Sequence, residues 1–148
     1  MSIRKVFFAL LCFVALGSFP AIAKSVRTEL QISPQMAGTV KDGAILAKGR
    51  VFNADGAEGF TLWMEAASPA GAPGYIIQSE TDPTKKIRVR LAGRDWQVNP
   101  LNKNSMISIR PAPSAAFLIV ADGQQNIPAG SWRLLVSAAP GFHENRSQ

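Results

Sequence analysis

Near the C-terminus, Ala121 to Val136 reads ADGQQNIPAGSWRLLV, a loop rich in turn formers that runs into an alternating apolar segment. Asp122-Gly123 tolerates a positive φ, Pro128 fixes its own φ and withholds a donor, and Gly130 adds a second permissive joint. Beyond these joints Trp132, Leu134 and Val136 fall on one face, with Arg133 and Ser137 on the other and Leu135 the one apolar residue on the outward set. Such alternation predicts a half-buried antiparallel strand. Only Ser137 to Gln148 follow, and Pro140, Gly141, His143, Glu144, Asn145 and Arg146 suit a strand poorly. The expectation is therefore a sandwich with no closing strand of its own, which must be completed by another segment.

At the other end, Arg4 and Lys5 precede the apolar run Val6 to Leu16, and Gly17 and Pro20 then lead to Ala21-Ile22-Ala23. A basic start, a short apolar run and a small-residue site define a secretory signal peptide over 1–23. The run falls short of the roughly 18 apolar residues of a membrane span, so no direct membrane insertion is expected. Cleavage after Ala23 leaves one domain of 125 residues, 24–148, and lowers the formal charge from +6 to +4. Cys12, the one cysteine, leaves with the leader, so the exported domain is expected to fold without a disulfide.

Along the mature chain, short extended runs alternate with turns. Val26 to Ile32 sets Val26, Thr28, Leu30 and Ile32 against Arg27, Glu29 and Gln31. Ala44 to Phe52 carries an internal glycine, Gly49, which predicts a bulge or a close backbone approach. Further strands are expected at Phe60 to Glu65, Tyr75 to Ser79, Lys86 to Leu91, Met106 to Ile109 and Phe117 to Val120, with Ala66 to Gly74 as an exposed loop. No long window has a helical period. Many short strands at regular spacing predict an all-β, antiparallel β-sandwich.

The chain has few parts for chemistry. His143 is its only histidine and lies in a polar tail, and no cysteine remains, so thiol nucleophiles, Ser-His-Asp relays and zinc sites lack components. No catalytic, metal or cofactor residues are assigned. Asp55, Glu58, Glu80 and Asp82 lie in turns, where solvation and turn hydrogen bonds account for them. Lys86, Arg88 and Arg90 share one face of one strand and form a positive ladder roughly 13 Å long. It reads either as a receptor-facing site or as a solvated face that discourages edge pairing. Nucleic acid is not an expected partner, since no aromatic residue interleaves these cations.

Four stretches carry a family resemblance. They are Asp42-Gly43 with Gly49-Arg50-Val51; Gly59 to Met64; Ile77-Gln78-Ser79 with Lys86 to Arg90 and Gly93 to Trp96; and Ala121-Asp122-Gly123 through Pro128-Ala129-Gly130 to Arg133. Their order and spacing across nearly the whole mature chain resemble the AfaD/DraD invasins, minor tip subunits of chaperone–usher adhesive fibres. The resemblance implies an immunoglobulin-like fold lacking its final strand and completed by a donated strand. The donors it implies are a periplasmic chaperone, working with an usher, and then the adjacent fibre subunit. It also implies passage through the periplasm to the cell surface and a host receptor of the integrin class. Family members carry a cysteine pair; the matching positions here are Asn53 and Pro140.

Together these readings assign the donor-strand groove to Leu30 and Ile32 on the first strand and Trp132, Leu134 and Val136 on the last, with Phe60 and Leu62 at its floor. The rival reading is a self-complete secreted β-sandwich that binds a ligand outside any fibre. Val26 to Ile32 also keeps two roles open, as a strand of the domain or as a donor segment. Processing is predicted after Ala23: the intact mass of the exported protein should correspond to residues 24–148 with no thiol, and a retained or acylated Cys12 would contradict it.

Overall fold

Runs with a two-residue period become the long strands, because alternate side chains then share one buried face. The computed structural model describes residues 26–33, 37–54, 56, 58–69 and 74–141; the leader, Asp55, His143 and part of the Ala66 to Gly74 loop lie outside these described residues. Strands β1 (Val26–Ile32), β3 (Ile45–Asn53), β4 (Phe60–Met64), β5 (Gly74–Gln78), β6 (Lys86–Ala92), β8 (Met106–Ser108) and β9 (Ser114–Ala121) fall where alternation or a continuous apolar run places them. Three-residue strands β2 (Gly38–Val40), β7 (Trp96–Val98) and β10 (Gln125–Ile127) were not legible from pattern, since three residues hold less than two periods.

The last strand differs from expectation. β11 covers Val136–Pro140, so ladder pairing begins where the predicted segment ends and continues through residues that suit a strand poorly. Two ties explain the shift: Glu80 donates its backbone N–H to Ser131 O at 2.9 Å, and Arg133 pairs with the Glu80 carboxylate at 2.8 Å. These hold 131–133 beside the loop after β5 before the chain can join β4. Pro140 is tolerated because it ends the strand.

Pairing builds two main antiparallel sheets, β1-β3-β9-β6-β5 and β11-β4-β8-β7, with a small ribbon of β10 and β2. They enclose a core in which Val51, Phe60, Leu62, Val89 and Ile119 are wholly buried. Trp96, on β7, bolts the layers together: its ring lies 6.4 Å from that of Phe60, and its indole N–H donates to Ala116 O on β9 at 2.7 Å. The arrangement is an immunoglobulin-like sandwich.

Gly49 marks a close approach, whereas the register irregularity of β3 lies at Ile45/Ala47. Gly49 faces Phe117 across the β3–β9 ladder, and a Cβ there would fall 2.6 Å from Phe117 Cε1. The ring occupies the space a side chain would take, so Gly49→Ala should destabilise the domain by about 1–3 kcal/mol through overpacking. Urea unfolding checks this; an unchanged midpoint would contradict it.

Candidate strand-accepting seam

β1 and β11 are the terminal strands of their sheets and lie at the same side of the sandwich. Each is paired along one edge only: β1 with β3 over all seven of its residues, β11 with β4 over five. Among the described residues no third strand joins them. They do approach each other, with Thr28 Oγ1 3.5 Å from Val136 O, and this contact draws the seam together without making a ladder.

The seam is apolar because period two carries inward residues to its lip from both sides. Val26 and Leu30 on β1, and Val136 and Ala138 on β11, are half-buried against the core. Ile32 is 44 % exposed at the end of β1. Of the residues assigned from sequence, Leu30 and Val136 lie on the two seam strands against the core, Ile32 sits at the end of β1 in a depression with Ile45 and Lys48 of β3, and Leu134 is buried just ahead of β11. Trp132 precedes the ladder, half-buried, with its indole N–H bonded to Pro128 O at 3.0 Å. Phe60 and Leu62 are core residues rather than an open floor, both at 0 % exposure, because the two edges lean together above them. The register places Leu62 opposite Ala138 and Met64 opposite Val136, one strand in from the lip. Val26 and Ala138 are the lip residues that sequence reasoning missed; continuing the alternation two residues past Val136 would have found Ala138.

The basic ladder is less free than it reads. Lys86 and Arg88 are exposed, but the Arg90 guanidinium is clamped by Asp42 at 2.8 Å and Asp122 at 3.1 Å. Arg88 is also drawn in, its Nε donating to Asp122 O at 3.2 Å. Asp42 additionally accepts the Gly123 N–H at 2.8 Å. The clamp thus joins the β2–β3 turn, β6 and the β9–β10 turn. Carboxylates read as turn groups serve as such: Asp82 accepts from the Thr84 N–H and hydroxyl, and Glu80 makes the ion pair described above.

Fold and seam define the class: an immunoglobulin-like sandwich lacking a strand, with half-buried apolar residues along two facing, half-paired edges. Residues 36–138 match the family described as Enterobacteria AfaD invasin protein, and the chain belongs to that family. It is 29% identical to Protein AfaD of Escherichia coli over 141 residues, covering 93% of this chain and 94% of that relative. Its structure is similar to that of the E. coli Hda pilus minor tip subunit HdaB, with a TM-score of 0.72, 29% identity and coverage of 80% of this chain and 85% of that one. It is also similar to the Salmonella SafD adhesin, with a TM-score of 0.72, 32% identity and coverage of 78% and 86% respectively.

The Arg90 guanidinium, with help from the Gly123 N–H, holds the Asp42 carboxyl below its ordinary value. A carboxylate depressed in the folded state stabilises above its unfolded pKa and ceases to do so as pH falls through the folded value. Asp42→Asn should therefore lower Tm at neutral pH, and the gap from wild type should close as pH drops below about 4. Thermal melts across that range check the sign; a gap that widens in acid would contradict it.

Proposed function

We propose that this chain is a non-enzymatic tip subunit, an invasin or adhesin, of a chaperone–usher surface fibre, completed by a strand donated into the β1–β11 seam. The observation that carries this reading is the pair of facing, half-paired edges with an apolar lip between them. An extended donor laid there satisfies backbone groups on both edges while its alternate side chains enter the slot. Export by the 1–23 leader brings the chain to the periplasm, where a chaperone covers the seam. At the usher, the adjacent subunit replaces it, and the assembled subunit is presented at the cell surface.

The pairing of β1 supports its place as a strand of the domain. Its seven residues are all committed to β3, from Val26 opposite Asn53 to Ile32 opposite Ala47. A first strand committed to its own domain is not free to serve as a donor, which suits the end of a fibre. There it meets the host cell, and a receptor of the integrin class is the partner the family suggests. Lys86 and Arg88 are the ladder residues available to a receptor, Arg90 being held by the two aspartates.

Coexpression with a periplasmic chaperone of this class, followed by pull-down, tests the seam. Val136→Asp sets a charge on its lip, where a donor's apolar side chains would leave it unpaired. Capture should be lost with Val136→Asp and kept with Lys103→Ala, an exposed change in the β7–β8 loop at the opposite edge of the four-stranded sheet. Capture of Val136→Asp at the wild-type level would overturn the seam as the donor site.

A further inference from the structure

The two outer faces of the sandwich differ in charge. On the four-stranded sheet the outward residues of the central ladders, Thr61, Trp63, Ile107, Ser137 and Ala139, carry none, and the charge beside them is the Glu65 carboxylate, which accepts from Trp63 and Ser137. On the five-stranded sheet, cross-strand partners share a face, and the register sets Lys48 and Arg50 of β3 outward beside Leu118 and Ala116 of β9. Arg94 follows β6 on the far side of β9.

These three cations differ from their neighbours. Arg27 is engaged by Glu29 at 3.4 Å and lies 4.4 Å over the Phe52 ring, and Arg90 is held by two aspartates. Lys48, Arg50 and Arg94 are exposed and make no ion pair among the described residues; the Arg50 side chain donates one hydrogen bond, to Ser114 Oγ at 3.3 Å. They border two shallow depressions of about 390 and 330 Å³ that meet at Ala116, forming a trench across β9. Two carboxylate residues also line it: Glu29, already paired with Arg27, and Asp95, beside Arg94.

We propose that this trench is a docking surface for a linear sulfated polysaccharide, held by Lys48, Arg50 and Arg94. Spacing separates a polymer from a single anion. Lys48 and Arg50 are two residues apart on one strand, about 7 Å, and Arg94 stands roughly two strand spacings, about 10 Å, from Arg50. No small anion touches all three, whereas an extended chain with repeated sulfates does. A protein partner of acidic character would want a deep aromatic or aliphatic anchor, and the outward apolar side chains of the trench are only the exposed methyl of Ala116 and the half-buried Leu118. Guanidinium groups suit sulfate as they suit phosphate, through paired N–H donors. Each exposed contact is weak and screened by salt, so affinity depends on several acting together.

The trench lies on the middle strand of its sheet, two positions in from the β1 edge, and a strand added at the seam leaves it open. The proposal names a partner class for the cell-surface role and rests on that role only for its setting.

The test uses the mature chain purified with a donor-strand peptide in its seam, applied to immobilised heparin, chemically desulfated heparin, poly-glutamate and vesicles of phosphatidylserine in phosphatidylcholine. Binding to heparin at moderate salt is expected, and the combined K48Q, R50Q and R94Q variant should bind at least about tenfold more weakly. The charge-matched control K41Q, K85Q and K103Q, whose residues are exposed elsewhere, should stay within about twofold of wild type. Equal loss in both triple variants, or equal binding to desulfated heparin, poly-glutamate or vesicles, would overturn the proposal by showing that net charge alone acts. A wild-type chain that takes up its donor peptide yet ignores heparin would also overturn it and leave the seam reading intact. Melting curves of both variants verify that the fold is unchanged.

Discussion

Backbone pairing at one side of the sandwich is left half-made, and the rest of the molecule is arranged around that fact. A terminal strand can leave its free N–H and C=O groups to water, but an apolar lip beside them cannot be satisfied in the same way. Here both conditions meet. β1 and β11 each use one edge, and Val26, Leu30, Val136 and Ala138 sit half-covered between them. The Thr28–Val136 contact draws the edges together and covers part of that surface, although a side-chain hydrogen bond is a poor substitute for a ladder. Anything that binds the folded chain at the seam stabilises it by mass action, so folding and assembly become one equilibrium.

Rigidity elsewhere makes such an opening tolerable. The heaviest packing lies away from the seam, where Trp96 spans from β7 to the β9 backbone and Phe117 fills the space over Gly49. Gly93, with φ at 151°, belongs to the same device, since a Cβ there would fall 2.8 Å from Trp96 Cδ1. The cysteine pair implied by family resemblance would have fixed β3 to β11, and Asn53 and Pro140 occupy those positions at the ends of the two strands. A cross-link closing a loop of roughly 90 residues is worth about 4 to 5 kcal/mol in the chain-entropy model. Without it, β11 is held by its pairing with β4, by the Gly141–Gly59 bond that prolongs that pairing, and by the Glu80 ties upstream. β11, one wall of the seam, is thus held by hydrogen bonds and an ion pair rather than by a cross-link.

Period two made the long strands legible, because five or more residues of alternation have few other physical readings. β1 and β6 follow it closely, and the family resemblance supplied the immunoglobulin-like arrangement that periodicity alone cannot. Short elements stayed hidden: β2 and β10 are fixed by partners distant in sequence, Gly38–Val40 pairing with Gln125–Ile127, and β7 is three residues set by its pairing with β8. The β11 boundary was misplaced for a similar reason, since Glu80 decides where 131–133 lies and no local pattern reports that. Arg90 shows the same limit for charge. Its face could be read from alternation, but its aspartate partners come from two turns, one of them 48 residues away.

Strand addition and surface recognition make separate demands on a sheet, and period two allows β1 to meet one without compromising the other. A donor beside β1 uses its free backbone edge and the apolar residues at its lip, Val26 and Leu30. The outward residues of the same strand, Arg27, Glu29 and Gln31, belong to the face that carries the trench. Glu29 stands opposite Arg50 in the β1–β3 register and is shared with Arg27 at 3.4 Å, so the one carboxylate of β1 is divided between two cations at the sheet margin. Because inward and outward side chains cannot exchange without a one-residue slip of register, an arriving donor that preserves the β1–β3 ladder leaves the outer face as it was. Assembly therefore changes what the seam exposes while the face across β9 keeps its charge in the free and completed subunit alike.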